Sequence, residues 1–136
     1  MTMDTTPDRL PRDHPLPDLL ARSPRVLLLG APGSGKTTLA RAVAARLAEQ
    51  GRTLRCLSAD PGLPGFGPPG AVCLGVWHDG DWRLEALAAL ATLDSARFRL
   101  PLVEAVRRLA ERVTAGPLLV DAPGVVRGTP GAELLP

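Results

Sequence analysis

The chain has 136 residues, 45% hydrophobic and 22% charged, which is enough for one domain with a buried core and short for two. Its formal charge of +2 divides into net +3 over residues 1–60 and net −1 over residues 61–136, so neither part carries a strongly basic nucleic-acid footprint. Two cysteines, Cys56 and Cys73, exclude a disulfide framework or cysteine metal site, and no apolar run reaches the roughly 18 residues of a membrane span.

The N-terminus is acidic and Pro-rich and lacks the apolar centre of a signal peptide, so a cytoplasmic location is expected. Gly (14) and Pro (15) are both over-represented, which implies many turns. Of the 16 basic residues 15 are Arg, and the sole Lys is Lys36. In a chain that uses Arg wherever either cation serves, a retained Lys marks a place where a compact point charge is needed.

Residues 1–24 read as a flexible Pro-rich leader, with one helical turn expected over residues 18–22. The remainder, 25–136, reads as one nucleotide-binding domain. Arg25-Val-Leu-Leu-Leu-Gly30 has the wholly apolar character of a strand buried on both faces. After a Gly-rich turn, a helix is predicted over residues 36–50, with Leu39, Val43 and Leu47 recurring every four residues beside Ala40, Ala44 and Ala48. Gly51 stops it, and residues 53–58 follow as a second strand, completing a βαβ unit.

Asp60 to Gly70 is a Pro/Gly loop. Residues 71–77 and 82–87 are predicted as a hairpin across His78-Asp-Gly-Asp81. A helix over residues 100–115 follows, with Leu102, Val106, Leu109 and Val113 on its core face and Glu104 within reach of Arg108. Leu118-Leu-Val120 is a further buried-type strand running into Asp121-Ala-Pro-Gly124.

Gly30-Ala31-Pro32-Gly33-Ser34-Gly35-Lys36-Thr37 fits the pattern G-x-x-x-x-G-K-[ST], between an apolar strand and an amphipathic helix. Glycines let backbone N–H groups turn inward around an anion, and the helix presents its unpaired N–H groups and positive dipole end to the same point. ATP is therefore the expected ligand of residues 30–38, Thr38 included, with Lys36 on the β/γ-phosphates and the Thr37 hydroxyl on Mg²⁺. Asp121, ending an apolar strand, is placed to hold Mg²⁺, or else is a turn residue before Pro. Asp60 also ends a strand, where ligand sites gather in α/β sheets; it can hold Mg²⁺, accept a proton from an attacking hydroxyl, or simply form the turn before Pro-Gly. Trp77 and Trp82 are either a cross-strand packing pair or a stacking platform for a base. His14 and His78 are expected in solvent. Arg107, Arg108 and Arg112 are expected on a wet helix face, and Arg127 follows Asp-x-Pro-Gly closely enough to approach the site.

Three segments together carry a resemblance. They are the Gly30–Thr37 loop, Asp60-Pro-Gly-Leu-Pro-Gly-Phe-Gly-Pro-Pro-Gly70, and Leu118-Leu-Val-Asp-Ala-Pro-Gly-Val-Val-Arg-Gly128, with Arg99 to Leu109 similar to the helix before the last strand. The chain resembles the polynucleotide 5′-hydroxyl kinase family, whose members include the RNA kinase of the cleavage-and-polyadenylation machinery and the kinase of pre-ribosomal RNA processing. The resemblance implies an α/β fold, a P-loop NTPase-type parallel sheet flanked by helices with an inserted hairpin. It also implies transfer of the ATP γ-phosphate to the 5′-hydroxyl of RNA or DNA. Lys36 and Asp60 are then catalytic, and Thr37, Asp60 and Asp121 surround the metal. Leu63 departs from the Gln usual after Asp-Pro-Gly, and residues 92–96 lack the Gly and Ser-Pro expected before the helix. The family continues past the region of resemblance into a lid whose arginines close over the phosphates, so the domain is expected to be incomplete. An ATP-binding module without kinase activity and a P-loop NTPase switch are the alternatives, and a guanine-specificity motif is precluded by the single Lys.

Overall fold

A computed structural model describes residues 10–31, 34–90, 93 and 99–124. Its elements in chain order are α1 (Leu16–Arg22), β1 (Arg25–Leu28), α2 (Lys36–Glu49), β2 (Arg55–Ser58), β3 (Ala71–His78), β4 (Asp81–Ala89), α3 (Arg99–Glu111) and β5 (Leu118–Asp121). The strands form one sheet in the order β1-β5-β2-β3-β4. β1, β5 and β2 are parallel, with β5 between the other two; β3 runs antiparallel to β2, and β4 antiparallel to β3. The architecture is thus mixed α/β with a P-loop-type parallel half. The inserted hairpin extends that sheet rather than standing apart from it.

The apolar runs build two cores because alternate strand residues face opposite sides. Leu54, Cys56 and Leu119 join α1 and α2 on one side, with Val26 and Leu28 packed against them. Leu57, Leu118, Val72 and Leu74 join Leu102, Ala105 and Leu109 of α3 on the other. Neighbouring residues 56 and 57, and again 118 and 119, therefore serve different cores. That is why these strands carry no polar face to betray their period.

Helix α2 ends as its sequence implies. Gly51 takes φ +71, its N–H reaches Ala48 O at 3.0 Å, and the Arg52 N–H reaches Leu47 O at 2.8 Å, a closed C-terminal cap. The buried stripe is Ala40, Val43, Ala44 and Leu47 with Ala42 added; Ala48 is exposed. Helix α3 is shorter than the predicted 100–115. Val113 packs into the core from the turn beyond it, and Val106 is only partly buried. Glu104 pairs with Arg107 at 2.7 Å rather than with Arg108, because Arg107 also reaches Glu111 one turn on and is fixed between the two carboxylates.

The Pro-rich segment read as a loose leader differs from that reading from Leu10 onward. Leu10, Leu16 and Leu20 are buried in the α2-side core. The Arg46 guanidinium on α2 donates to the Leu10 and Pro11 carbonyls and straps the segment down. The prolines end the helix early but do not prevent α1, since Pro17 stands in its first turn, where no N–H is needed. His14 is half-buried rather than solvated, and its Nδ1 accepts the Leu16 N–H at 3.2 Å. His78 is exposed beside Asp79. Trp77 and Trp82 are a cross-strand pair, their rings 4.9 Å apart and edge to face. Residues 1–9, most of the stretch 92–96, Arg127 and the rest of 125–136 lie outside the described residues.

Candidate functional site

In the parallel register Leu28, Asp121 and Ser58 stand in one row across β1, β5 and β2. The connections leaving the carboxyl ends of β1 and β2 and the last residue of β5 therefore meet at one edge of the sheet. Ligands of open α/β sheets gather at that edge.

The loop after β1 turns back over itself. The Ser34 N–H bonds Ala31 O at 3.1 Å, and Gly35 adopts φ +90 as the residue preceding α2, a conformation suited to glycine. A side chain on Gly30 would collide with Ser34 Oγ at 2.5 Å. Lys36 opens α2, and its Nζ donates to Gly30 O at 3.1 Å, holding the ammonium along the loop. Pro32 and Gly33 lie outside the described residues. Thr38, one step further along the helix, is exposed.

The Thr37 hydroxyl donates to Asp121 Oδ2 at 2.8 Å. Asp121 is itself buried, 7% exposed. Burial pushes its carboxyl above the ordinary carboxylate value and the Asp60 charge adds to this, while the Thr37 hydrogen bond and the Lys36 charge oppose it. Asp60 behaves partly as the turn former foreseen: its Oδ1 accepts the Gly62 and Leu63 N–H groups at 3.1 and 3.2 Å.

These groups share one cleft of about 550 Å³ including its open mouth, lined by Lys36, Thr37, Ser58, Asp60, Leu63, Asp121, Ala122 and Gly124. Of the residues expected at the metal, Thr37, Asp60 and Asp121 are brought together here. Hard oxygen donors, one hydroxyl and two carboxylates, fit Mg²⁺, which keeps most of its shell as water and phosphate oxygens. Among the described residues there is no cluster of three or more His, Cys, Asp or Glu that would make a richer all-protein metal cage.

Sequence reasoning missed Ser58. The residue is 2% exposed at the end of β2, and its hydroxyl accepts the Gly65 N–H at 2.9 Å, drawing the Asp60–Gly70 loop toward the cleft. A serine closing a strand beside Cys56 and Leu57 was the available signal, since a buried hydroxyl must find a partner.

Among the described residues no helix is long and apolar enough to cross a membrane. No curated protein matches the chain. Residues 30–81 match the family model described as the mRNA cleavage and polyadenylation factor CLP1 P-loop. The match takes in the phosphate loop, α2, β2, the Asp60–Gly70 loop and β3, while Asp121, Ala122 and Gly124 of the cleft lie beyond it. Over residues 30–81 the chain is thus similar to that family's P-loop, in keeping with a P-loop nucleotide-binding domain.

Proposed function

We propose that this chain works in RNA processing as an ATP-dependent polynucleotide 5′-hydroxyl kinase. The observation that carries the proposal is the Thr37 Oγ1–Asp121 Oδ2 bond of 2.8 Å inside a cleft also lined by Lys36 and Asp60. It supports a site for a metal-bound triphosphate beside a carboxylate that can act on an acceptor. The α2 N-terminus and the loop before it would bind the phosphates through backbone N–H groups. Lys36 would leave Gly30 O and meet the β/γ-phosphates as a point charge. Thr37 and Asp121 would hold Mg²⁺, which supplies neutralisation of the charge on the β/γ oxygens.

The acceptor hydroxyl oxygen would bond to the γ-phosphorus as the bond to the β–γ bridging oxygen breaks, releasing ADP. Asp60 Oδ2 would take the hydroxyl proton, while Oδ1, engaged by two N–H groups, fixes the carboxylate in place. Little covalent work falls to the protein in such a transfer, so positioning and charge neutralisation dominate the rate.

One observation favours a second reading, an ATP-binding module without transfer. The two N–H groups on Asp60 Oδ1 give that carboxylate a turn-forming role of its own, one that needs no acceptor. Label from γ-labelled ATP offered with a 5′-hydroxyl RNA oligonucleotide, and with its DNA equivalent, separates the two. Transfer that Lys36→Ala abolishes supports the kinase. ATP binding that requires Lys36, with no transfer to either acceptor, refutes the kinase and leaves the module.

A further inference from the structure

The loop Asp60–Gly70 is pinned on both sides of a single glycine. Ser58 Oγ holds the Gly65 N–H at 2.9 Å. The ring of the next residue, Phe66, covers Gly75 of β3 so closely that a Cβ on Gly75 would stand 2.7 Å from its Cε2. Phe66 also packs on Trp82, with centroids 5.5 Å apart, and Trp82 on Trp77. Trp77 lies under the Arg41 guanidinium of α2 at 5.2 Å, and Arg41 is paired with Asp81 at 2.7 Å. Gly67, at φ +78, faces Cys73 so closely that a Cβ there would stand 2.5 Å from Sγ.

Gly65 itself faces the other way, toward Thr37 and Asp121. A Cβ there would stand 3.1 Å from Thr37 Cγ2 and 3.6 Å from both Thr37 Oγ1 and Asp121 Oδ2. The backbone of residue 65 is therefore the wall opposite the hydroxyl–carboxylate pair. A side chain there would press on the Thr37 methyl and lie in van der Waals contact with those two oxygens. Gly65 is not among the positive-φ glycines, so its φ does not demand a glycine. What a side chain there would meet is the Thr37 methyl, which would have to give by a few tenths of an ångström.

We propose that Gly65 is a site residue whose bare backbone sets the space for a hydrated divalent cation over Thr37 and Asp121. Ser58 and Phe66 are the positioning residues that hold it there. This assigns the aromatic hairpin a role: its tryptophans clamp the loop and do not read a base. The inference rests on the nucleotide-binding reading and is independent of phosphoryl transfer.

The test measures ATP affinity by equilibrium dialysis with and without Mg²⁺, together with amide exchange at Gly65 in the nucleotide-free protein. In Gly65→Ala, ATP affinity without metal stays within about twofold, while the gain conferred by Mg²⁺ falls about 10–100-fold, the scale of losses around a metal's ligands. Gly65 amide protection drops about tenfold in Ser58→Ala and is restored in Ser58→Thr, which keeps the hydroxyl on a residue suited to a strand. The Mg²⁺-conferred gain falls and recovers with it. Phe66→Leu lowers the gain and leaves metal-free affinity near wild type. Undiminished Mg²⁺ dependence in Gly65→Ala overturns the wall. An unprotected Gly65 amide in the wild type overturns the clamp without any nucleotide present. Failure of the wild type to bind ATP with or without metal refutes the nucleotide reading and takes this inference with it.

Discussion

Leu20→Ala tests whether the N-terminal Pro-rich segment belongs to the folded domain. Leu20 is 2% exposed and packs with Leu10, Leu16 and the inner face of α2, whereas its neighbour Leu19 is 39% exposed. Truncating a buried Leu loses its transfer energy and leaves a cavity, at a cost of about 2–4 kcal/mol at a site walled by helix and sheet. At roughly 4 °C per kcal/mol for a chain of this size, the thermal midpoint falls by about 8–16 °C. Leu19→Ala is the internal control: it removes the same atoms from a half-open position, and the loss is at most about 1 kcal/mol. Thermal and urea unfolding followed by circular dichroism read both. The urea slope should stay constant if the same surface is exposed on unfolding. If Leu20→Ala unfolds within about 0.5 kcal/mol of Leu19→Ala, the packing of α1 on α2 is refuted and the segment is the loose leader its prolines suggest.

Three further outcomes are expected. Because the raised Asp121 carboxyl binds its proton more tightly in the folded chain than in the unfolded one, stability of the metal-free protein falls as pH rises from the ordinary carboxylate value through the raised one. Asp121→Asn should therefore raise the neutral-pH midpoint and flatten that window while lowering Mg²⁺-dependent ATP affinity; an unchanged or lower midpoint at pH 7 contradicts the sign. Gly75→Ala drives a methyl into the Phe66 ring, so it should cost about 1–3 kcal/mol and shift tryptophan emission as Phe66 leaves Trp82; an unaltered spectrum argues against the stack. Burial pushes the Cys56 thiol far up, so iodoacetamide at pH 8 should leave Cys56 unmodified in the native state and modify it in urea, as mass spectrometry of its peptide would report.

The parallel half of the fold was legible because its signals are local. Arg25 to Leu28 and Leu118 to Asp121 are short, largely apolar runs that begin directly after a Pro, Arg55 to Ser58 lies between Gly51 and Pro61, and α2 carries its own stripe and its own glycine stop. The phosphate loop was legible for the same reason, its residue types being dictated by the geometry of wrapping an anion. α1 was only partly legible, as one turn rather than a packed helix. Leu16 and Leu20 are two apolar positions among prolines, and their burial depends on a face of α2 that no local pattern announces. The partner of Glu104 was misjudged because both Arg107 and Arg108 satisfy helical spacing. Glu111, one turn further, decides between them. Ser58 and Phe66 matter through contacts made across the chain, at Gly65 and Gly75, and no spacing rule reaches those.

The two halves of the sheet divide the work on physical grounds. Parallel strands aim successive loops at one edge, so β1, β2 and β5 can bring a cation, a hydroxyl and two carboxylates to a single cleft. An antiparallel hairpin needs only a tight turn, and β3–β4 supplies a rigid aromatic ledge beside β2 on which the Asp60–Gly70 loop can rest. The buried Asp121 makes that ledge consequential. A carboxylate held out of water is costly until a cation reaches it, so the wall that admits or refuses the cation governs both the affinity of the site and the stability of the fold around it.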